Sequence, residues 1–138
     1  MPGAGCPNSA SGGGASLVGS GAPVLAADTL VLTASGEPST ALSVVSQGDA
    51  TIAPVTFGDG LRCVGGDLKR LYVVAASSGT VIAPPPAAPA VSARSAALGD
   101  PLLPGTSRSY YVYYRDPVVG HCPPATFNAT NALRVVWQ

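Results

Sequence analysis

Glycine and proline interrupt this chain so often that no helical pattern can run for long. There are 17 glycines and 14 prolines, and no window of 12 or more residues keeps a sustained helical spacing of apolar side chains. What survives between the interruptions has period two. In DTLVLTASG (28–36), Leu30, Leu32 and Ala34 face one way and Thr29, Val31 and Thr33 the other. ALSVVSQGD (41–49) repeats the pattern, and the intervening EPST predicts that the two strands form a hairpin. SLVGSG (16–21), LKRLYVVAAS (68–77) and ALRVVWQ (132–138) read as further strands, the last with Leu133, Val135 and Trp137 on one side. Residues 50–67 mix short β-prone pieces with the turn signals GDG and GGD. The proline run in TVIAPPPAAPAV (80–91) cannot pair inside a sheet and is expected at an edge or in a loop. Only 87–100 is a helix candidate. The fold class implied is all-β: one antiparallel β-sandwich of about 6–9 strands with long Gly/Pro-rich loops. The domain is expected over 16–138, preceded by a flexible arm, 1–15, rich in Gly, Ser and Pro.

A length of 138 residues suits one domain. Charged residues are 10% of the chain, and seven basic side chains balance seven acidic ones. Without a positive excess a nucleic-acid partner is not expected, because phosphate neutralisation needs clustered Lys and Arg. No apolar run approaches the ~20 residues of a membrane helix, so no membrane insertion is expected. Abundant small residues, Val and Pro, with a single lysine, Lys69, point to an extracellular or cell-surface setting. Met1 is followed by PGAGCPNSAS, which lacks the basic start and apolar segment of a secretory signal. An extracellular setting then expects a leader that has been removed, or a parent chain that is longer.

Motifs for chemistry are sparse. Cys6, Cys63 and Cys122 fit no metal-binding spacing; one disulfide plus an odd thiol, or three buried thiols, both suit the count. His121 and Cys122 are adjacent, but a thiolate nucleophile needs an orienting group as well as a base, and the segment is Pro-rich. No GxSxG or phosphate-binding loop occurs. Asp49, Asp59, Asp67, Asp100 and Asp116 occupy turn positions, where Asp is the ordinary residue and calcium the special case. Asn128-Ala-Thr130 matches a glycosylation sequon, with Phe127 and Asn128 read as a loop anchor. No enzyme activity and no cofactor are expected.

Three stretches, taken in order, carry a resemblance. GCPNSASGGGASLVGSGAPVLAADTLVLTASGEP, FGDGLRCVGGDLKRL and GTSRSYYVYYRDPVVGHCPPATFNATNALRVVWQ together resemble an uncharacterised secreted β-rich domain type of environmental bacteria with large genomes. The resemblance implies an extracellular location and β architecture, not a reaction. It also implies a disulfide between Cys6 and Cys63, with Cys63 and Cys122 as the alternative pair. Tyr113 stands where that domain type usually has Trp.

The tyrosine-rich strand SYYVYYRDP (109–117) is the strongest candidate contact surface. Alternation puts Tyr110, Val112 and Tyr114 on one face and Tyr111, Tyr113 and Arg115 on the other. The arginine marks the second face as the outer one. Tyr111 and Tyr113, about 7 Å apart along the strand, could stack on sugar rings or meet a partner chain. The functional expectation is a structural or adhesive module that self-associates into a surface layer or filament, or contacts other extracellular proteins. The alternative is a carbohydrate-binding module that holds polysaccharide through these tyrosines.

Overall fold

The computed structural model describes residues 4–116 and 126–138. Strands β1 (Ser16–Ser20), β2 (Val31–Ser35) and β7 (Val81–Ala83) form an antiparallel three-stranded sheet in the order β1-β2-β7. Its register aligns Leu17, Ala34 and Val81 in one row, and Leu32 and Ala83 in the next. All five are buried, while Val18 and Ile82 between them are exposed. Period two in the sequence thus becomes one apolar sheet face.

The second sheet contains β3 (Leu42–Gly48), β6 (Lys69–Ala75), β8 (Ser107–Arg115), β9 (Phe127–Ala129) and β10 (Leu133–Val136). Its order is β10-β8-β3-β6, and β9 pairs with β8 on the same edge as β10. Thr130 fills the gap between β9 and β10: its amide donates to the Val112 carbonyl, and its hydroxyl accepts from the Val112 amide. The two sheets pack face to face through Leu17, Leu32, Val81, Val45, Leu71 and the inner residues of β8. This is an all-β sandwich. Burying the aliphatic and aromatic faces of both sheets is its main driving force.

A third piece was expected only as short β-prone pieces between turn signals. Residues β4 (Ala50–Phe57) and β5 (Gly60–Gly65) form a two-stranded ribbon that folds over the outer face of the second sheet. Val64 is its deepest anchor, packed with Tyr111 and Ala129. At Gly48 a side chain would collide with Val64 and the Gly65 carbonyl, so the ribbon needs glycine there. At the ribbon's tip, Gly58 has φ +61° and its backbone lies against Phe127. The ribbon and the short β9 bring the count to ten strands among the described residues, one above the expected range.

Two expectations are corrected. First, β2 and β3 do not form a hairpin. The chain leaves β2 through Gly36 (φ +83°) and crosses to the other sheet, where Glu37 is pinned by its amide to Gly79 O and by its carboxyl to Ser43. β2 instead pairs with β1 and β7, and β3 with β6 and β8. Second, the segment read as a flexible arm is docked over residues 4–15. Asn8 is buried and donates to Gly36 O and to the Tyr114 hydroxyl, both at 2.8 Å. Its side-chain oxygen accepts from the amides of Ala10 and Ser11. Ser9 donates from amide and hydroxyl to Asp116, and Asn128 Nδ2 donates to Pro7 O. A Gly/Ser composition suggests freedom, but one well-placed Asn closes a turn and ties it to the core.

The helix candidate contracts to α1 (Val91–Ala97), with Arg94 Nε donating to Leu71 O on β6. The proline run follows β7, an edge strand, as expected.

Candidate functional site: an aromatic groove on the outer sheet face

Strand β8 carries both the core and the site. On its inner face Tyr110, Val112 and Tyr114 are almost completely buried. Each hydroxyl there has partners. Tyr110 donates to Gln47 Oε1 (2.8 Å) and accepts from Trp137 Nε1 (3.1 Å). Gln47 in turn donates to Ser95 and to Asp100, which forms a two-pronged ion pair with Arg108 at 2.8 Å. Burial pushes the Tyr110 and Tyr114 hydroxyls upward, Tyr114 to about 12, although the Asn8 hydrogen bond opposes the shift at Tyr114.

On the outer face the alternation holds, with one correction: Tyr111 is not exposed. It is 4% accessible because the ribbon covers it, while Tyr113 is half-buried and Arg115 exposed. Phe57 of β4 stands edge-on to Tyr111 (6.0 Å), Tyr113 (5.4 Å) and Phe127 (5.0 Å). The Tyr111 and Tyr113 rings are 6.1 Å apart at 30°. The three Phe57 contacts are edge-to-face and the Tyr111–Tyr113 pair is stacked, each contributing about 0.5–1.5 kcal/mol beyond burial. Burial raises the Tyr111 hydroxyl above its ordinary value, against the lowering effect of Arg62 and Ser46 beside it.

Between the ribbon and the start of β6 lies an open groove of about 540 Å³. Val44, Ser46, Tyr111 and Tyr113 line it from the sheet, Phe57 and Arg62 from the ribbon, and Leu68, Lys69 and Arg70 from β6 and its approach. The Arg62 guanidinium sits 5.5 Å above the Phe57 ring centre. Its Nε is buried and makes no hydrogen bond among the described residues. Thus the structure brings Tyr111, Tyr113 and Arg115 together and adds Phe57, Arg62, Lys69 and Arg70, which sequence reasoning passed over, and Phe127, read there only as a loop anchor. The apposition of 57–62 with 111–115 depends on where the ribbon folds, and no local pattern announces that.

The remaining candidates have structural employment. Asp116 is buried and holds Ser9; Asp49 accepts from the Asp67 amide; Asp67 pairs with Lys69 at 3.2 Å. The Asp59 amide donates to Phe127 O. No group of three or more His, Cys, Asp or Glu gathers to hold a metal among the described residues. Asn128 is buried and bonded to Pro7 O, so the folded chain does not offer it for glycosylation. The expected Cys6–Cys63 bridge is not formed: both are free, half-buried thiols, although they line one cleft of about 430 Å³ beside the docked arm. One thiol rides on the arm and the other on β5, and packing has set their approach short of a bond. His121 and Cys122, with the Cys63–Cys122 alternative, lie outside the described residues.

No helix is long and apolar enough to cross a membrane among the described residues. Compared with protein-family models, with curated proteins and with solved structures, the chain matches none.

Proposed function

We propose that this domain is a non-catalytic adhesive module of the cell exterior whose ligand is a glycan held in the groove beside Tyr113. The observation that carries this is the groove itself: an open cleft with four aromatic rings, Phe57, Tyr111, Tyr113 and Phe127, at one sheet face. Sugar rings present apolar C–H faces that stack on aromatic side chains, and an open cleft admits a chain that continues in both directions. The rings are held rigidly by one another and by the ribbon, which lowers the ordering cost of binding. The extracellular setting rests on composition and on the motif resemblance.

The test is polysaccharide pull-down and a glycan array with the purified domain. Binding that Tyr113→Ala abolishes, in a protein that unfolds at nearly the same temperature, supports the module. Binding that survives Tyr113→Ala, or no binding to any glycan, rejects it.

A second reading, self-association, has its own observation: Leu42 and Val73 are exposed on the same sheet face. Strand donation by residues 4–15 is disfavoured, because the arm is docked. One free edge is also closed, since the Asn131 amide both accepts from Leu17 N and donates to Leu17 O on β1. Face-to-face association would show as a concentration-dependent mass in light scattering, and a monomer at all concentrations would exclude it.

A further inference from the structure

The groove is not electrically neutral. Four of the chain's seven basic residues line it, Arg62, Lys69, Arg70 and Arg115, and none of its seven acidic residues does. Only Lys69 has an ion-pair partner among the described residues, the exposed Asp67. Arg70 and Arg115 are exposed. Arg62 lies over Phe57 with a buried Nε that lacks a hydrogen bond among the described residues. A guanidinium stacked on a ring keeps its N–H edges for a planar anion, and a carboxylate matches that fork. Converging like charges repel one another unless an anion lies between them.

Resting on the glycan reading above, we propose that the preferred ligand carries a carboxylated sugar, a uronic-acid unit within an otherwise neutral glycan. The sugar ring lies over Tyr113 and the carboxylate among Arg62, Arg70 and Arg115. Charge distribution selects this occupant over a uniform polyanion such as single-stranded nucleic acid, which also uses aromatic and basic grooves. Outside the groove the molecule has three basic residues against seven acidic ones. A backbone charged at every unit would leave the groove and meet that opposing field, whereas a localised carboxylate would not. The groove volume, about 540 Å³, lies within the roughly 300–1,000 Å³ of small-ligand sites, so it holds a short sugar segment.

The experiment uses the whole domain in calorimetry or microarray binding. The probes are glucuronic-acid-substituted xylan oligosaccharides and hyaluronan fragments, each beside its carboxyl-reduced counterpart, with a sulfated glycan and a 12-nucleotide single-stranded DNA. At least one uronate probe is expected to bind, with affinity falling about tenfold or more on carboxyl reduction. Arg70→Gln and Arg115→Gln, at exposed positions and without change in unfolding temperature, should each weaken it several-fold and reduce its salt dependence. Equal binding of acid and reduced probes with no effect of the arginine variants overturns the acidic preference and leaves the glycan module standing. Tighter binding of DNA or of the sulfated glycan alone overturns the carboxylate assignment. No binding of any sugar probe, acidic or neutral, overturns both.

Discussion

The two faces of β8 are built from the same residue type and do opposite work. Inside, Tyr110 and Tyr114 are buried to the ring edge and each hydroxyl is tied to another side chain: Trp137 and Gln47 at one end, Asn8 at the other. Outside, Tyr111 is covered by Val64 of the ribbon, while Tyr113 is only half-buried and packs against the Phe57 and Tyr111 rings. A buried hydroxyl without a partner costs about 1–3 kcal/mol, so the inner tyrosines are locked to the fold. Where solvent or a ligand can supply the bond, the ring is free to serve as a contact.

Perturbing the inner side should cost the most. Trp137→Ala removes a fully buried indole and the donor to Tyr110, and should lower stability by about 3–5 kcal/mol in urea unfolding. An effect below ~1 kcal/mol would mean that the core does not close on this residue.

The next effect depends on pH. Glu37 is buried with its Oε1 unpaired, and burial raises its carboxyl from the ordinary 4.5 to about 7 against the Ser43 hydrogen bond. Between these values the folded chain holds a proton that the unfolded chain has released. Stability should therefore fall as pH rises through that window, by on the order of 3 kcal/mol, and level off above it. Glu37→Gln keeps an acceptor for Ser43 and should flatten the profile; an unchanged slope would place the titration elsewhere.

The same substitution on the two faces sharpens the contrast. Tyr110→Phe strands Gln47 Oε1 and Trp137 Nε1 and should cost about 2 kcal/mol. Tyr113→Phe should change stability by less than about 0.5 kcal/mol. Equal costs in chemical denaturation would erase the distinction between locked and available rings. Asn8→Ala, which frees the arm from Tyr114 and Gly36, should fall between them at about 1–2 kcal/mol. It should also speed proteolysis within residues 4–15; unchanged cleavage would mean that other contacts hold the arm.

Much of the architecture was legible locally. Alternation at 28–36 and 109–115 assigned the correct inner residues, because side-chain direction in a strand follows from backbone geometry alone. The site was half legible for the same reason: Tyr111, Tyr113 and Arg115 do share one face. What covers that face was not legible. Whether Tyr111 is open or hidden depends on a ribbon 50 residues upstream, admitted by the missing side chain at Gly48.

The sequence by itself determined the main alternating strands of the two sheets, the all-β class and the grouping of tyrosines on each side of β8. All of these follow from period and from the conformational limits of glycine and proline. Only the tertiary structure decided that β2 and β3 part to separate sheets, that Asn8 anchors the arm, and that Arg62, Arg70 and Arg115 line one groove with Tyr113. Those outcomes are set by long-range burial and hydrogen-bond satisfaction. They depend on which distant surfaces fit, and no local pattern encodes them.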